Sequence, residues 1–154
     1  MNSLLQDEKF ELVVICPGIM IGPTLTGRLN ISLQTFPNLM GPSKVPGLIK
    51  TMMSYVDVRD CAQAHLEALV REEAKYRRII VTCQSLELKQ LAKILKKRYP
   101  EYKVQTKVYA YCSIKFASFF NETARLVLQY IDREIYLDNT LSIEILGMQY
   151  RPIE

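Results

Sequence analysis

A single histidine, His65, occurs in 154 residues, and the four cysteines, Cys16, Cys61, Cys83 and Cys112, form no CxxC pair. That disfavours a Cys/His zinc site and any mechanism needing two imidazoles. No GxSxG is present, so a serine-hydrolase nucleophile turn is unsupported. No GxGxxG or GxxGxxG occurs either, leaving no Gly-rich turn to bring backbone amides to a pyrophosphate at a helix N-terminus. The longest apolar run, Leu12 to Ile21, is interrupted by Pro17-Gly18, and MNSLLQDEKFELVV lacks the basic and long apolar regions of a signal peptide. No membrane targeting or span is expected. Nor is charge of one sign concentrated. Twenty Lys and Arg face sixteen Asp and Glu, a formal net charge of +4, clustered only at Arg77-Arg78 and Lys96-Lys97-Arg98. No nucleic-acid partner is expected from that distribution.

What remains is the material of one folded unit: 49% of residues are apolar and 23% charged. Three of the cysteines lie in or beside apolar runs, where a thiol behaves as a small hydrophobe. They are expected to be reduced and the protein cytoplasmic.

Leu12 to Cys16 is rich in β-branched residues and predicts a strand buried on both faces, as in a parallel sheet covered by helices. From Pro17 to Gly47 lie five of the seven prolines and five of the six glycines, so this stretch is expected to be loop-rich and functional. Leu25, Leu29, Leu33 and Phe36 allow one short helix within it. Met52 to Val56 predicts a strand and Asp57 the cap of a helix from Val58, with Ala62, His65, Leu66 and Leu69 on one face. A second β-branched strand, Arg78 to Cys83, precedes a helix with Ser85 as N-cap and Leu88, Leu91, Ala92 and Leu95 on its stripe, ended by Pro100. Val104, Thr106 and Val108 predict a half-exposed edge strand. Phe116, Phe120, Thr123, Val127 and Ile131 trace a helical stripe, and Leu141 to Leu146 a short helix closed by Gly147. Met1 to Lys9 reads as the tail of a helix. Strands alternating with helices indicate an α/β protein.

The segments ELVVICPGIMIGP (Glu11 to Pro23), MSYVDVRDCAQAHLEAL (Met53 to Leu69), RRIIVTC and LELKQLAKILKKRYP, in that order, resemble the C-terminal half of extended short-chain dehydrogenase/reductases, within the NAD-dependent epimerase/dehydratase superfamily. The branch most resembled holds dihydroflavonol and cinnamoyl-CoA reductases. The resemblance covers about residues 8 to 109 and runs on, fainter, to Pro152. It implies the last part of a Rossmann-like doubly wound parallel sheet in residues 1–23 and a smaller substrate-binding α/β region in residues 24–154. It places Pro17, Gly18 and Ile19 beside the nicotinamide and Met20, Ile21, Gly22 and Pro23 at the substrate, with the wall continuing to about Pro46. The complete enzyme would use NADP or NAD on a CH–OH or carbonyl group of a small apolar substrate. No cofactor is expected for this chain alone, because the family's Gly-rich turn and its catalytic Tyr-x-x-x-Lys helix belong before Pro17.

Two Tyr-x-x-x-Lys strings occur elsewhere. Pro100 separates Tyr99 from Lys103, and Tyr111 with Lys115 follows the Pro-Gly strand instead of preceding it, so no catalytic residue is assigned. Asp57 or Asp60 is expected to bind backbone amides at the helix start, Arg59 to be solvated, and His65 to be a core or rim residue. Two alternatives stay open. One is a non-catalytic remnant or interaction module, oligomeric or covered by a partner along an exposed sheet edge. The other, a sugar-nucleotide epimerase or dehydratase half, fits the mostly apolar residues 20 to 50 less well.

Overall fold

The computed structural model describes residues 11–28, 30–41 and 47–153. Gly18 splits the first apolar run into two strands, β1 (Val14–Pro17) and β2 (Ile19–Ile21). Helix α1 (Ile31–Met40) follows, then β3 (Met52–Asp57), α2 (Val58–Val70) and a 3-10 turn at Glu72–Ala74. Next come β4 (Arg78–Val81), β5 (Gln84–Glu87) and α3 (Leu88–Arg98). The chain continues through three short helices, α4 (Tyr111–Ala117), α5 (Glu122–Leu128) and α6 (Thr140–Glu144). The protein is α/β, as its alternating pattern predicts.

β1 pairs with β4 in parallel, Val14 opposite Arg78 and Pro17 opposite Val81. A second sheet has the order β2-β3-β5, with β2 parallel and β5 antiparallel to β3. Both sheets therefore draw on each half of the chain, and β4 returns from beyond residue 23 to lie beside β1. Consecutive β3 side chains point to opposite faces. Tyr55 accordingly enters one core, with Leu39, Leu48, Leu91, Ala92 and Leu95. Val56 enters the other, with Ala64, Ile79, Val81 and Leu146.

Two helix starts obey simple capping chemistry. Asp57 Oδ1 accepts the Arg59 amide at 2.8 Å, a cap worth about 1 kcal/mol. α3 begins where the Glu87 amide donates to Gln90 Oε1 at 2.9 Å, and Lys96, Lys97 and Arg98 in its last turn complement the macrodipole. α6 ends as predicted: Gly147 has φ 65° and its amide donates to the Ile143 carbonyl at 3.0 Å.

Several expectations are corrected. β1 starts at Val14, and Val14, Ile15 and Cys16 are half-buried rather than buried, with β4 the one strand beside them among the described residues. Leu25 is fully exposed and α1 begins later, because Asn30 caps it by accepting the Leu33 amide at 2.9 Å. Leu29 and residues 1–10 and 42–46 lie outside the described residues. α2 buries Asp60, Cys61 and Ala64 and exposes Ala62, His65, Leu66 and Leu69, the reverse of the predicted face. Small side chains let this helix approach the sheets, and Asp60 is drawn inward by Arg151. Ser85 sits in β5, its hydroxyl 2.7 Å from that of Ser54, and Glu87 takes the N-cap position. Residues 104–108 form no strand. Val104 is buried, Val108 makes one isolated bridge to Leu48, and the Gln105 amide turns to the Leu39 carbonyl at 3.0 Å. The aromatic stripe is broken by a turn between α4 and α5, which leaves Phe116 and Phe120 exposed and Ile131 buried.

Candidate functional site

Three chain segments cross where the two sheets meet. Pro17-Gly18-Ile19 links β1 to β2, Ser54-Tyr55 lies in the middle of β3, and Thr82-Cys83 links β4 to β5. The Gly18 amide donates to the Val81 carbonyl at 3.0 Å, and the Tyr55 carbonyl accepts both the Cys83 amide at 2.8 Å and the Thr82 hydroxyl at 3.0 Å. Gly18 is required here by closeness rather than by an unusual φ. A Cβ on it would stand 2.6 Å from the Ser54 carbonyl oxygen and 3.2 Å from Thr82 Oγ1.

This corner forms one end of a groove of about 460 Å³. Pro17, Gly18 and Ile19 line it together with Ser32 of α1. Thr51 to Ser54 of β3 and its lead-in make the floor. Tyr130, Ile135 and Leu137 complete the lining. Among the described residues no carboxylate, histidine or lysine lines it, so this lining can hold and orient a neutral molecule but offers no acid–base pair. Of the sequence-nominated residues, Pro17, Gly18 and Ile19 converge on the groove. Met20 to Pro23 do not line it: Met20 is exposed, and Gly22, at φ 124°, turns the chain beside Asp57 and Val58.

The other candidates serve the scaffold. Arg59 forks onto Asp57, with Nε to Oδ1 at 2.9 Å and Nη2 to Oδ2 at 2.7 Å, which lowers the Asp57 pKa and leaves the guanidinium committed. Asp60, 1% exposed, accepts the Arg151 amide at 2.8 Å and pairs with its guanidinium, fastening the C-terminal segment beneath α2. Cys83 Sγ donates to the Arg151 carbonyl at 3.1 Å, and burial raises its thiol pKa. Asn139 donates to the Thr82 carbonyl at 2.7 Å, tying α6 to the strand crossing. His65 is at the rim of a shallow groove beside β1, its Nδ1 2.8 Å from the Cys61 carbonyl. Tyr99 and Lys103 both lie past the last residue of α3, while Tyr111 and Lys115 share α4; neither pair lines the groove. All four cysteines are free thiols. Among the described residues no helix is long and apolar enough to cross a membrane.

Sequence reasoning missed Tyr130, Ile135 and Leu137, which line the groove. Their only mark is the apolar alternation of Ile135 and Leu137 in a charged stretch, DREIYLD.

No family model matches the chain. It is 32% identical over 107 residues to cinnamoyl-CoA reductase 2 of Medicago truncatula, covering 68% of this chain and 31% of that protein. It is 31% identical over 100 residues to the NADPH-dependent methylglyoxal reductase GRE2 of Saccharomyces cerevisiae, covering 62% of this chain and 29% of that one. The crystal structure of yeast methylglyoxal/isovaleraldehyde reductase Gre2 complexed with NADPH superposes with a TM-score of 0.67 at 26% identity, over 94% of this chain and 40% of that one. The chain thus spans about a third of the length of the curated relatives it matches.

Proposed function

From a chain that belongs to the extended short-chain dehydrogenase/reductases and corresponds to their C-terminal part, we propose that it forms the substrate side of an NAD(P)-dependent reductase acting on the carbonyl or CH–OH group of a small apolar molecule. One observation carries the reading: a groove lined by no charged side chain among the described residues includes the Pro17-Gly18-Ile19 backbone, where a flat neutral ring can lie against the chain. In this reading residues 1–23 belong to the nucleotide-binding core and residues 24–154 to the substrate region. The cofactor of the complete enzyme is NADP or NAD.

The residues fit only one end of such a dinucleotide. Asn30 and Asp57 direct their side-chain oxygens to the first amides of α1 and α2, and Asp57 and Glu87 place carboxylates where α2 and α3 begin. A pyrophosphate at those two N-termini would meet negative charge. No reduction step is assigned to this chain alone.

The test is a pair of titrations followed by amide NMR. Acetophenone is expected to shift Gly18, Ile19 and Met53 saturably, while NADPH gives no saturable change. Saturation by NADPH would remove the claim that this chain lacks a cofactor site. Failure of any ketone to move the groove amides would remove the groove as the substrate wall.

A second reading, an interaction module, has its own support. β1 has a neighbour on one edge only among the described residues, and Leu66, Leu69 and Val70 stand exposed on α2. An unpaired edge flanked by apolar side chains recruits further strands. Size-exclusion chromatography tests this reading: an oligomer or a captured partner supports it, and a sharp 17.8-kDa monomer opposes it. The free thiols suit the cytoplasm, the compartment proposed for either reading.

A further inference from the structure

Tyr130, Ile135 and Leu137 come from a segment that is not one of the three crossing at the Pro-Gly corner. At its start, Ile131 is buried in the protein, and Asp132, at φ 56°, turns the chain sharply. The Asp132 amide donates to the Lys50 carbonyl at 3.0 Å, and its carboxylate meets Lys50 Nζ at 2.8 Å, just before β3 begins. At its end, Asn139 is held by the Thr82 carbonyl at 2.7 Å. Residues 132–139 are thus pinned at both ends across the lead-in to β3.

Between the pins the side chains separate by chemistry. Asp132, Arg133 and Glu134 line a small cleft with Lys50 and Glu87, whereas Ile135 and Leu137, two residues apart, line the groove with Tyr130. Tyr130, Ile135 and Leu137 are 56%, 45% and 36% exposed. Such apolar area on a groove wall is available to a ligand, and a volume of about 460 Å³ lies within the usual range for small-molecule sites.

We propose that residues 130–139 act as a strap that fixes the size of the apolar group a substrate can present, with Tyr130, Ile135 and Leu137 as its specificity-determining residues. The substrate class is an uncharged ketone or aldehyde bearing a branched-alkyl or single-ring aryl group. Because Asp132, Arg133 and Glu134 line the other cleft and Asp138 is engaged by Thr140, no strap charge lines the groove, and a phosphate or carboxylate there would meet no partner on the strap, at a large desolvation penalty. The inference rests on the groove being the substrate wall, and its test separates the two.

The experiment titrates the chain with 4-methyl-2-pentanone, acetophenone and 2-acetonaphthone, reading Gly18 and Ile19 amide shifts. In the wild-type chain acetophenone is expected to bind at least as tightly as the other two. Leu137→Ala and Tyr130→Ala are expected to move the preference toward 2-acetonaphthone by about tenfold, and Leu137→Phe to move it the opposite way, the size of effect that one or two methylenes produce in an apolar pocket. Wild-type shifts with an unchanged preference in natively folded variants overturn the strap and leave the groove reading standing. No saturable shift with any ketone in the wild-type chain overturns both. Should Leu137→Ala fail to fold, Tyr130→Ala, at a more exposed position, decides by the same criterion.

Discussion

Gly18→Ala tests whether the strand crossing is set by backbone packing. The added methyl would lie 2.6 Å from the Ser54 carbonyl oxygen and 3.1 Å from its carbon, with Thr82 Oγ1 at 3.2 Å. An ordinary carbon–oxygen contact is roughly 3.4 Å or more, so β3 must retreat by several tenths of an ångström. β3 cannot retreat alone. It is hydrogen-bonded between β2 and β5, and the Tyr55 carbonyl holds both the Cys83 amide and the Thr82 hydroxyl. Overpacking of this kind costs about 1–3 kcal/mol. Reduced freedom of the unfolded chain returns about 0.4–1 kcal/mol. The net expectation is a loss of about 1–2 kcal/mol, read as a drop in Tm of about 2–8 °C for a chain of this length. Gly27→Ala is the control, because nothing lies within 4 Å of its Cβ position and it is predicted to be neutral or slightly stabilising. Thermal unfolding by circular dichroism, with urea midpoints at unchanged slope, measures both. A Gly18→Ala protein as stable as Gly27→Ala would refute the close-packing argument.

Asp60→Ala removes the carboxylate that binds the Arg151 amide and guanidinium from a position 1% exposed. Hydrogen bonds to a charged group contribute about 1.5–3 kcal/mol, so a loss of about 2 kcal/mol is expected, with proteolysis near Arg151 accelerated; unchanged protease resistance would show that the clasp holds nothing. Tyr55 is 2% exposed, its hydroxyl has no partner among the described residues, and burial pushes its pKa up to about 12 from 10.0. The folded state keeps this proton while the unfolded chain loses it, so stability is unaffected below pH 10.0 and falls between pH 10.0 and about 12, by up to about 1.4 kcal/mol per unit. Tyr55→Phe is expected to flatten that alkaline decline and to be at least as stable at pH 7. Urea midpoints at pH 7 and across the alkaline range measure both effects; identical alkaline slopes for the two proteins would contradict the assignment.

Different parts of this molecule were legible in the sequence for different physical reasons. The Pro-Gly break, the Asp57 cap and Gly147 act within a few residues, so their consequences can be read from neighbouring letters. α2 could not be read that way. Its helical pattern admits a leucine face and a small-residue face, and the choice depends on how closely the sheets approach and on Arg151, 91 positions from Asp60. The strand expected around Val104 to Val108 failed for a similar reason, since alternation describes an extended chain but supplies no partner strand. The groove divides along the same line. Its Pro17–Ile19 part is local, whereas Tyr130, Ile135 and Leu137 reach it through distant partners, Asp132 binding Lys50 and Asn139 binding Thr82.

That division bears on how such a site can change. At the corner, Gly18 touches the backbone of one neighbouring segment and donates to another, so any side chain there disturbs both sheets before it alters a ligand contact. Along the strap, Tyr130, Ile135 and Leu137 are partly exposed and donate or accept no side-chain hydrogen bond within the groove, while the Lys50–Asp132 pair holding the segment lies outside it. Substitutions on the strap should therefore stay within the roughly 0.5 kcal/mol typical of exposed positions while changing the groove's shape. In the proposal made above, stability rests on the corner and selectivity on the strap, which is why the strap can be altered to test selectivity without rebuilding the fold.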